Sequence, residues 1–142
     1  MNFIVRAALG AASLALLSTS AFAATTVNVM LMGEGGGEMK LSVDQPSIKG
    51  GDVVFNVANH AMTEEHEMVL VKLAAPDQPI VADTKTHRID EAQITSLGEV
   101  AELKPSGKGT LNANLEPGSY LLLCNLKGHY EAGMWSKLTV TN

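Results

Sequence analysis

Near the end of the chain, the stretch CNLKGHYEAGM (124–134) brings a cysteine, a histidine and a methionine together at even spacing. Cys124 is the single cysteine of the sequence, so no disulfide can form within the chain. Four readings are open: an inert core thiol, an unpaired half-cystine, a nucleophile or a metal ligand. Free cysteine is among the most buried residue types, which makes the inert thiol the ordinary outcome. The neighbours argue for ligation. Cys124, His129 and Met134 offer S, N and S donor atoms, and Gly128 and Gly133 directly precede the last two. Glycine lets a tight loop fold back on itself at no steric cost, so the three side chains can converge. A catalytic Cys–His pair would need an orienting third group and a feature that acidifies the thiol, and neither is recognisable. Zinc fits poorly, because thioether is a weak ligand for it and a second cysteine is lacking.

His66 is the candidate for a fourth donor. It opens the strand HEMVLVKL (66–73) after a loop that begins at Asn59. A loop-to-strand junction beside the end of the Cys124 strand would carry its imidazole to the same point. His60 is the rival, and the strand that follows His66 decides against it. Two imidazoles, a thiolate and a thioether suit copper: the sulfur donors favour Cu(I), and the imidazoles also suit Cu(II). A trigonal His2Cys set with a long axial methionine is the geometry of electron-transfer copper. His87, beside Arg88, is expected in solvent. Met30, Met32, Met39 and Met68 are expected as core filler. Met62 lies in the loop before His66 and could line the site, and Trp135 should pack near it. Glu64, Glu65 and Glu67 read as a solvated acidic loop.

Strands must position these residues. Thr25–Met32 alternates in period two, GEGGGE (33–38) interrupts it, and MKLSVD (39–44) resumes. The glycine-rich piece lacks the lysine and hydroxyl residue of a phosphate loop. A turn on Gly50-Gly51 precedes a strand with Val53, Phe55 and Val57 on one face. HEMVLVKL is almost continuously apolar, as a central strand buried on both sides would be. GTLNANLEPGSYLLLCN reads as a hairpin about Glu116–Ser119, with Tyr120, Leu122 and Cys124 sharing one face. SKLTVT (136–141) closes the chain. Between Ala74 and Lys108 the alternation weakens, and a short helical excursion is expected around 86–98, starting near Asp90-Glu91 and ending at Gly98. Seven or so short strands with regular turn signals predict an all-β sandwich of two sheets.

The N-terminus sets the compartment. One positive charge within Met1–Arg6, an apolar run over Ala7–Leu17 and the Ala21-Phe22-Ala23 site form a signal peptide cut before Ala24. That run is too short for a membrane span, so a periplasmic protein is expected. Removing residues 1–23 leaves 119 of the 142 residues, one domain of ordinary size (24–142). It also removes Arg6, so the net charge of −5 becomes −6. A mildly acidic chain without a basic cluster speaks against nucleic acid and anionic lipid as partners.

Residues 50–73 and 105–142 resemble a cupredoxin, the small blue-copper family that includes plastocyanin, azurin, rusticyanin and sulfocyanin. The signature is PGSYLLLCNLKGHYEAGMWSKLTV, whose Cys–His gap is closer to rusticyanin and sulfocyanin than to plastocyanin. VFNVANHAMTEEHEMVLV is similar to the family's Asn-loop-His-strand element. The resemblance implies a Greek-key β-sandwich with one type-1 copper at one end, held by His66, Cys124, His129 and Met134. It further implies a monomeric electron carrier rather than an enzyme. Redox partners would dock near His129 on a small apolar patch of Leu126, Tyr130, Ala132 and Gly133. A copper carrier that delivers the metal without a redox duty would use the same ligands. Copper oxidases need further histidine-rich sites, and only His60 and His87 are left over. Glu67 departs from the Asn or Ser that follows the first histidine in many members and ties two loops together, although its backbone N–H could still donate to the Cys124 sulfur.

Overall fold

The computed structural model describes residues 23–142; the expected leader lies outside them except for Ala23. The described residues form two sheets. One has four strands in the order β2-β1-β4-β7, built from β1 (Thr25–Met32), β2 (Lys40–Val43), β4 (Gly51–Asn59) and β7 (Lys108–Leu115). The other has five in the order β3-β9-β8-β5-β6, built from β3 (Ser47–Lys49), β5 (His66–Leu73), β6 (Thr95–Leu103), β8 (Gly118–Leu123) and β9 (Trp135–Thr141). This is the sandwich that the alternating sequence requires. Val27, Val29 and Leu31 of β1 and Val53, Phe55 and Val57 of β4 point inward. They meet Met68, Leu70, Tyr120, Leu122, Leu138 and Val140 from the facing sheet.

β5 is buried along almost its whole length, and its two faces lie in different cores. Met68 and Leu70 enter the main core between the sheets. Val69, Val71 and Leu73 join Leu121 and Leu123 in a second cluster on the outer side. The segment Ala74–Ile94 closes that cluster with Ile80, Ile89 and Ile94. A strand covered on both faces needs no alternation, which explains its continuous apolar run.

Two expectations change. The helical excursion around 86–98 is a single 3-10 turn over Glu91–Gln93, capped by Asp90, and Thr95 already begins β6. Gly98 does not end a helix. It sits in a bulge of β6, where the pairing steps from Val69↔Glu99 to Val71↔Ser96. There it has φ +129°, and a Cβ would stand 2.9 Å from Leu111 Cδ1. The second change concerns Glu116–Ser119, which does not close a hairpin. β7 pairs with β4 in one sheet and β8 with β5 and β9 in the other, so the turn carries the chain across the sandwich.

That crossing is fixed by Tyr120, whose ring is buried in the main core while its hydroxyl donates to the Glu116 carbonyl at 2.7 Å. The arrangement matches the tyrosine corner of sandwich proteins. Tyr120→Phe keeps the ring and orphans one carbonyl, so it is expected to destabilise the fold by about 0.5–1.5 kcal/mol. Urea unfolding should show a lower midpoint at unchanged slope.

Candidate metal centre

His66 and Cys124 arrive at one end of the sandwich on neighbouring strands. Leu123 of β8 pairs with Val69 of β5, so Cys124 follows directly where that pairing ends. By period two, Tyr120, Leu122 and Cys124 all face the main core. Cys124 and His66 are both 0% exposed. The connection from β8 to β9 then bends back on itself. Gly128 (φ +82°) and Gly133 (φ +94°) supply the left-handed positions. The His129 N–H donates to the Leu126 carbonyl, the Met134 N–H to the His129 carbonyl, and the Cys124 N–H to the Met134 carbonyl. The loop is thus tied at its base, with Met134 fully buried in the main core beside Cys124.

The ligating atoms of His66, Cys124 and His129 all lie within 4.8 Å of one another. His129 Nδ1 is 3.2 Å from His66 Nδ1 and 3.3 Å from Cys124 Sγ. Two donors each about 2 Å from a shared metal, about 120° apart, would be about 3.5 Å from each other. The three side chains therefore fit one trigonal ion with little movement. Burial pushes the Cys124 thiol up to about 11, opposed by the N–H groups of Glu67 and Leu126. Desolvation, followed by the neighbouring His66, holds His129 below the usual histidine range.

Three supports hold this set, and of their contacts only the expected one from the Glu67 N–H to Cys124 is evident from the sequence. The Gly33 carbonyl is 3.1 Å from His66 Nε2 and can only accept, so Nε2 carries the proton and Nδ1 presents its lone pair to the site. Gly33 belongs to the glycine-rich loop after β1, which also grips the segment before His66. The Glu34 carboxylate accepts from the amides of Met62 and Thr63 and from the Thr63 hydroxyl. The Thr63 hydroxyl first, then the Met62 amide, hold the Glu34 carboxyl below its ordinary range.

Glu67 is the second support. Its N–H lies 3.5 Å from Cys124 Sγ, and its carboxylate accepts from the Asn125 N–H at 3.0 Å. The two ligand segments are therefore tied through the Glu67 side chain, which burial pushes above the usual carboxylate range. The expectation of a solvated acidic run fails at this residue, which is 8% exposed. Glu64 accepts from the Gly35 N–H, and Glu65 pairs with Lys104. Asn125 is the third support, and its side-chain amide bonds into the Ala74–Ile94 segment.

The remaining candidates fall outside the cluster. His60 is exposed on the outer side of the four-stranded sheet, in a groove with Met30 and Lys108. His87 is exposed but pairs with Glu131 at 2.9 Å. Met39 and Met68 are core residues, as expected, whereas Met32 is half-buried, and Met30 and Met62 are exposed, Met62 at 85%. Trp135 lies against Tyr130, with ring centroids 6.4 Å apart. Ala132 and Gly133 are exposed, while Leu126 and Tyr130 are half-buried.

A two-sheet sandwich with His, Cys and His donors at one end defines a cupredoxin, the class of small blue copper proteins. The Sulfocyanin (SoxE) domain matches residues 11–142. The chain belongs to the sulfocyanin family, and copper is the metal of its class. Solved structures agree on the fold. Auracyanin from Roseiflexus castenholzii is 20% identical over 85% of this chain and 100% of its own, with a TM-score of 0.59. Auracyanin A from Chloroflexus aurantiacus, a "blue" copper protein, is 20% identical over 84% and 100%, also at 0.59. Rusticyanin from Thiobacillus ferrooxidans is 21% identical over 84% and 80%, at 0.56. No curated protein matches the chain in sequence.

Gly33 tests the backbone support. Its φ is +132°, and a Cβ would meet Met39 Sδ at 2.6 Å and the Glu38 carbonyl at 2.7 Å. Gly33→Ala is expected to cost about 1–3 kcal/mol. It should also release the His66 ring, seen by NMR as loss of a protected Nε2–H signal.

Proposed function

We propose that the chain is a periplasmic carrier of single electrons, with one type-1 copper held by His66, Cys124, His129 and Met134. The observation that carries this reading is the convergence of two imidazole nitrogens and one thiol sulfur at a buried point, with a buried methionine beside it. Bound copper supplies a one-electron Cu(II)/Cu(I) couple.

The chain's own residues prepare that point. Cys124 Sγ gives up its proton to become a thiolate, and the Glu67 N–H is in place to donate to the sulfur. His66 presents Nδ1 because Gly33 holds its Nε2–H. Burial of His129, which lowers its pKa, disfavours the protonated ring and so favours a free imidazole nitrogen. Met134 adds a soft thioether that favours the reduced metal. Burial of His66, Cys124 and Met134 excludes water and resists rearrangement, which favours electron transfer over delivery of the metal as cargo. His129 is the part-exposed ligand, and the exposed Ala132 and Gly133 beside it suit transient docking of a redox partner. The A-x-A leader supports export to the periplasm, and among the described residues no helix is long and apolar enough to cross a membrane.

Absorption spectroscopy of the copper-loaded protein tests the ligand set. An intense thiolate-to-copper band and a reversible couple are expected, and Cys124→Ser should abolish the band. A coloured Cys124→Ser protein would refute the assignment, and loss of copper on reduction would favour the delivery role. The second expectation concerns pH. Copper must displace the Cys124 proton, held to about 11 in the metal-free protein. Apparent affinity should therefore fall at least about tenfold for each unit the pH is lowered below that value, since the imidazoles must be unprotonated as well. Competition titrations against a chelator between neutral and mildly acidic pH measure the slope.

A further inference from the structure

The Ala74–Ile94 segment closes the second apolar cluster, and apart from Lys137, which meets Pro76 and Asp77, its polar contacts with the rest of the chain go to the ligand loop. The Gly128 N–H donates to the His87 carbonyl at 2.8 Å. The Tyr130 hydroxyl donates to the Ile80 carbonyl at 3.1 Å. The Glu131 carboxylate meets His87 Nδ1 at 2.9 Å. Asn125, one residue beyond Cys124 and 4% exposed, makes the densest set. Its Oδ1 accepts from the Ile89 N–H at 2.7 Å, and its Nδ2 donates to the Ile89 carbonyl at 3.0 Å and to Glu91 Oε1 at 2.9 Å. The side-chain amide thus pairs with residue 89 as a neighbouring strand would, giving and receiving one bond.

We propose that the Ala74–Ile94 segment is a clamp that fixes the copper-binding loop from outside, with Asn125 as the positioning residue through which it acts. The inference rests on the ligand set proposed above. Asn125 stands between two chains of bonds. Outward, its amide engages Ile89 and Glu91. Inward, its backbone N–H donates to the Glu67 carboxylate, and the Glu67 N–H faces Cys124 Sγ. Movement of the clamp is therefore passed to the sulfur through two hydrogen bonds and the buried Glu67 side chain between them. Cu(I) and Cu(II) prefer different geometries, so a loop held from both sides gives way to neither. The buried amide also explains why this position carries Asn. A carboxylate of the same shape would face the Ile89 carbonyl and Glu91 without a proton to donate.

Amide hydrogen exchange on the metal-free mature protein, together with Cu(II) affinity by chelator competition, tests the clamp. Asn125→Ala should speed exchange at Gly128, His129 and Met134 about tenfold or more, with Val29 and Val57 unchanged. Its Cu(II) affinity should fall about tenfold or more. Glu91→Ala, at an exposed residue, should act in the same direction more weakly, and Glu91→Gln, which keeps the acceptor, should restore wild-type values. Loop exchange and affinity at wild-type values in Asn125→Ala would overturn the proposal, as would a parallel rise in the core amides. If Asn125→Ala does not fold, the Glu91→Ala and Glu91→Gln pair decides: equal behaviour of the two sinks the clamp. Failure of the wild-type chain to bind copper would refute the ligand set alone, because the exchange measurement needs no metal.

Discussion

The metal centre depends on the pairing of β5 with β8. Their register runs from Leu73↔Ser119 to Val69↔Leu123, and continued one and two steps further it would set Cys124 opposite Met68 and Asn125 opposite Glu67. At that point side chains replace backbone in the ladder. The Glu67 N–H meets a sulfur instead of a carbonyl, and the Asn125 N–H meets a carboxylate. A shift of one residue would turn Cys124 to the outer face and destroy the site. Both faces of β8 are apolar, so Tyr120 distinguishes the registers: its ring fills the main core only while its hydroxyl holds the Glu116 carbonyl. Site geometry and core packing are one constraint.

Around that pairing the molecule is layered. The four-stranded sheet covers one side of β5 and β8, and the Ala74–Ile94 segment covers the other. Each layer also reaches the metal end. The inner sheet does so through Gly33, at the end of β1, and the outer segment through Ile89 and His87. The donors are held mainly by neighbours that are not donors themselves. Neighbours of this kind fix the orientation of the side chains they hold.

Much of this was legible in the sequence, for definite reasons. Period-two alternation revealed β1 and β4, and the unbroken apolar run marked β5 as central. Cys124, His129 and Met134 were visible because their residue types are chemically unusual in combination. The misread parts share a physical cause. β6 has one buried residue, Val100, and carries a bulge at Gly98, so its alternation was too weak to separate from a helix. The turn at Pro117-Gly118 looks the same whether its strands pair or part, because sheet membership is decided by tertiary packing. The Gly33 contribution is a backbone carbonyl and leaves no mark in residue type. Glu67 left a trace that could have been used, a lone acid on the otherwise apolar outer face of β5.

The sequence separations within the centre have a kinetic meaning. Gly33 and His66 are 33 positions apart, Glu67 and Cys124 57, and His66 and His129 63. Contacts of such high order form late, after the loops between them have closed. Only Cys124, His129 and Met134 are close enough in the chain to meet early, and without His66 they make an incomplete set. The full cluster of His66, Cys124, His129 and Met134 is therefore brought together only by the finished sandwich.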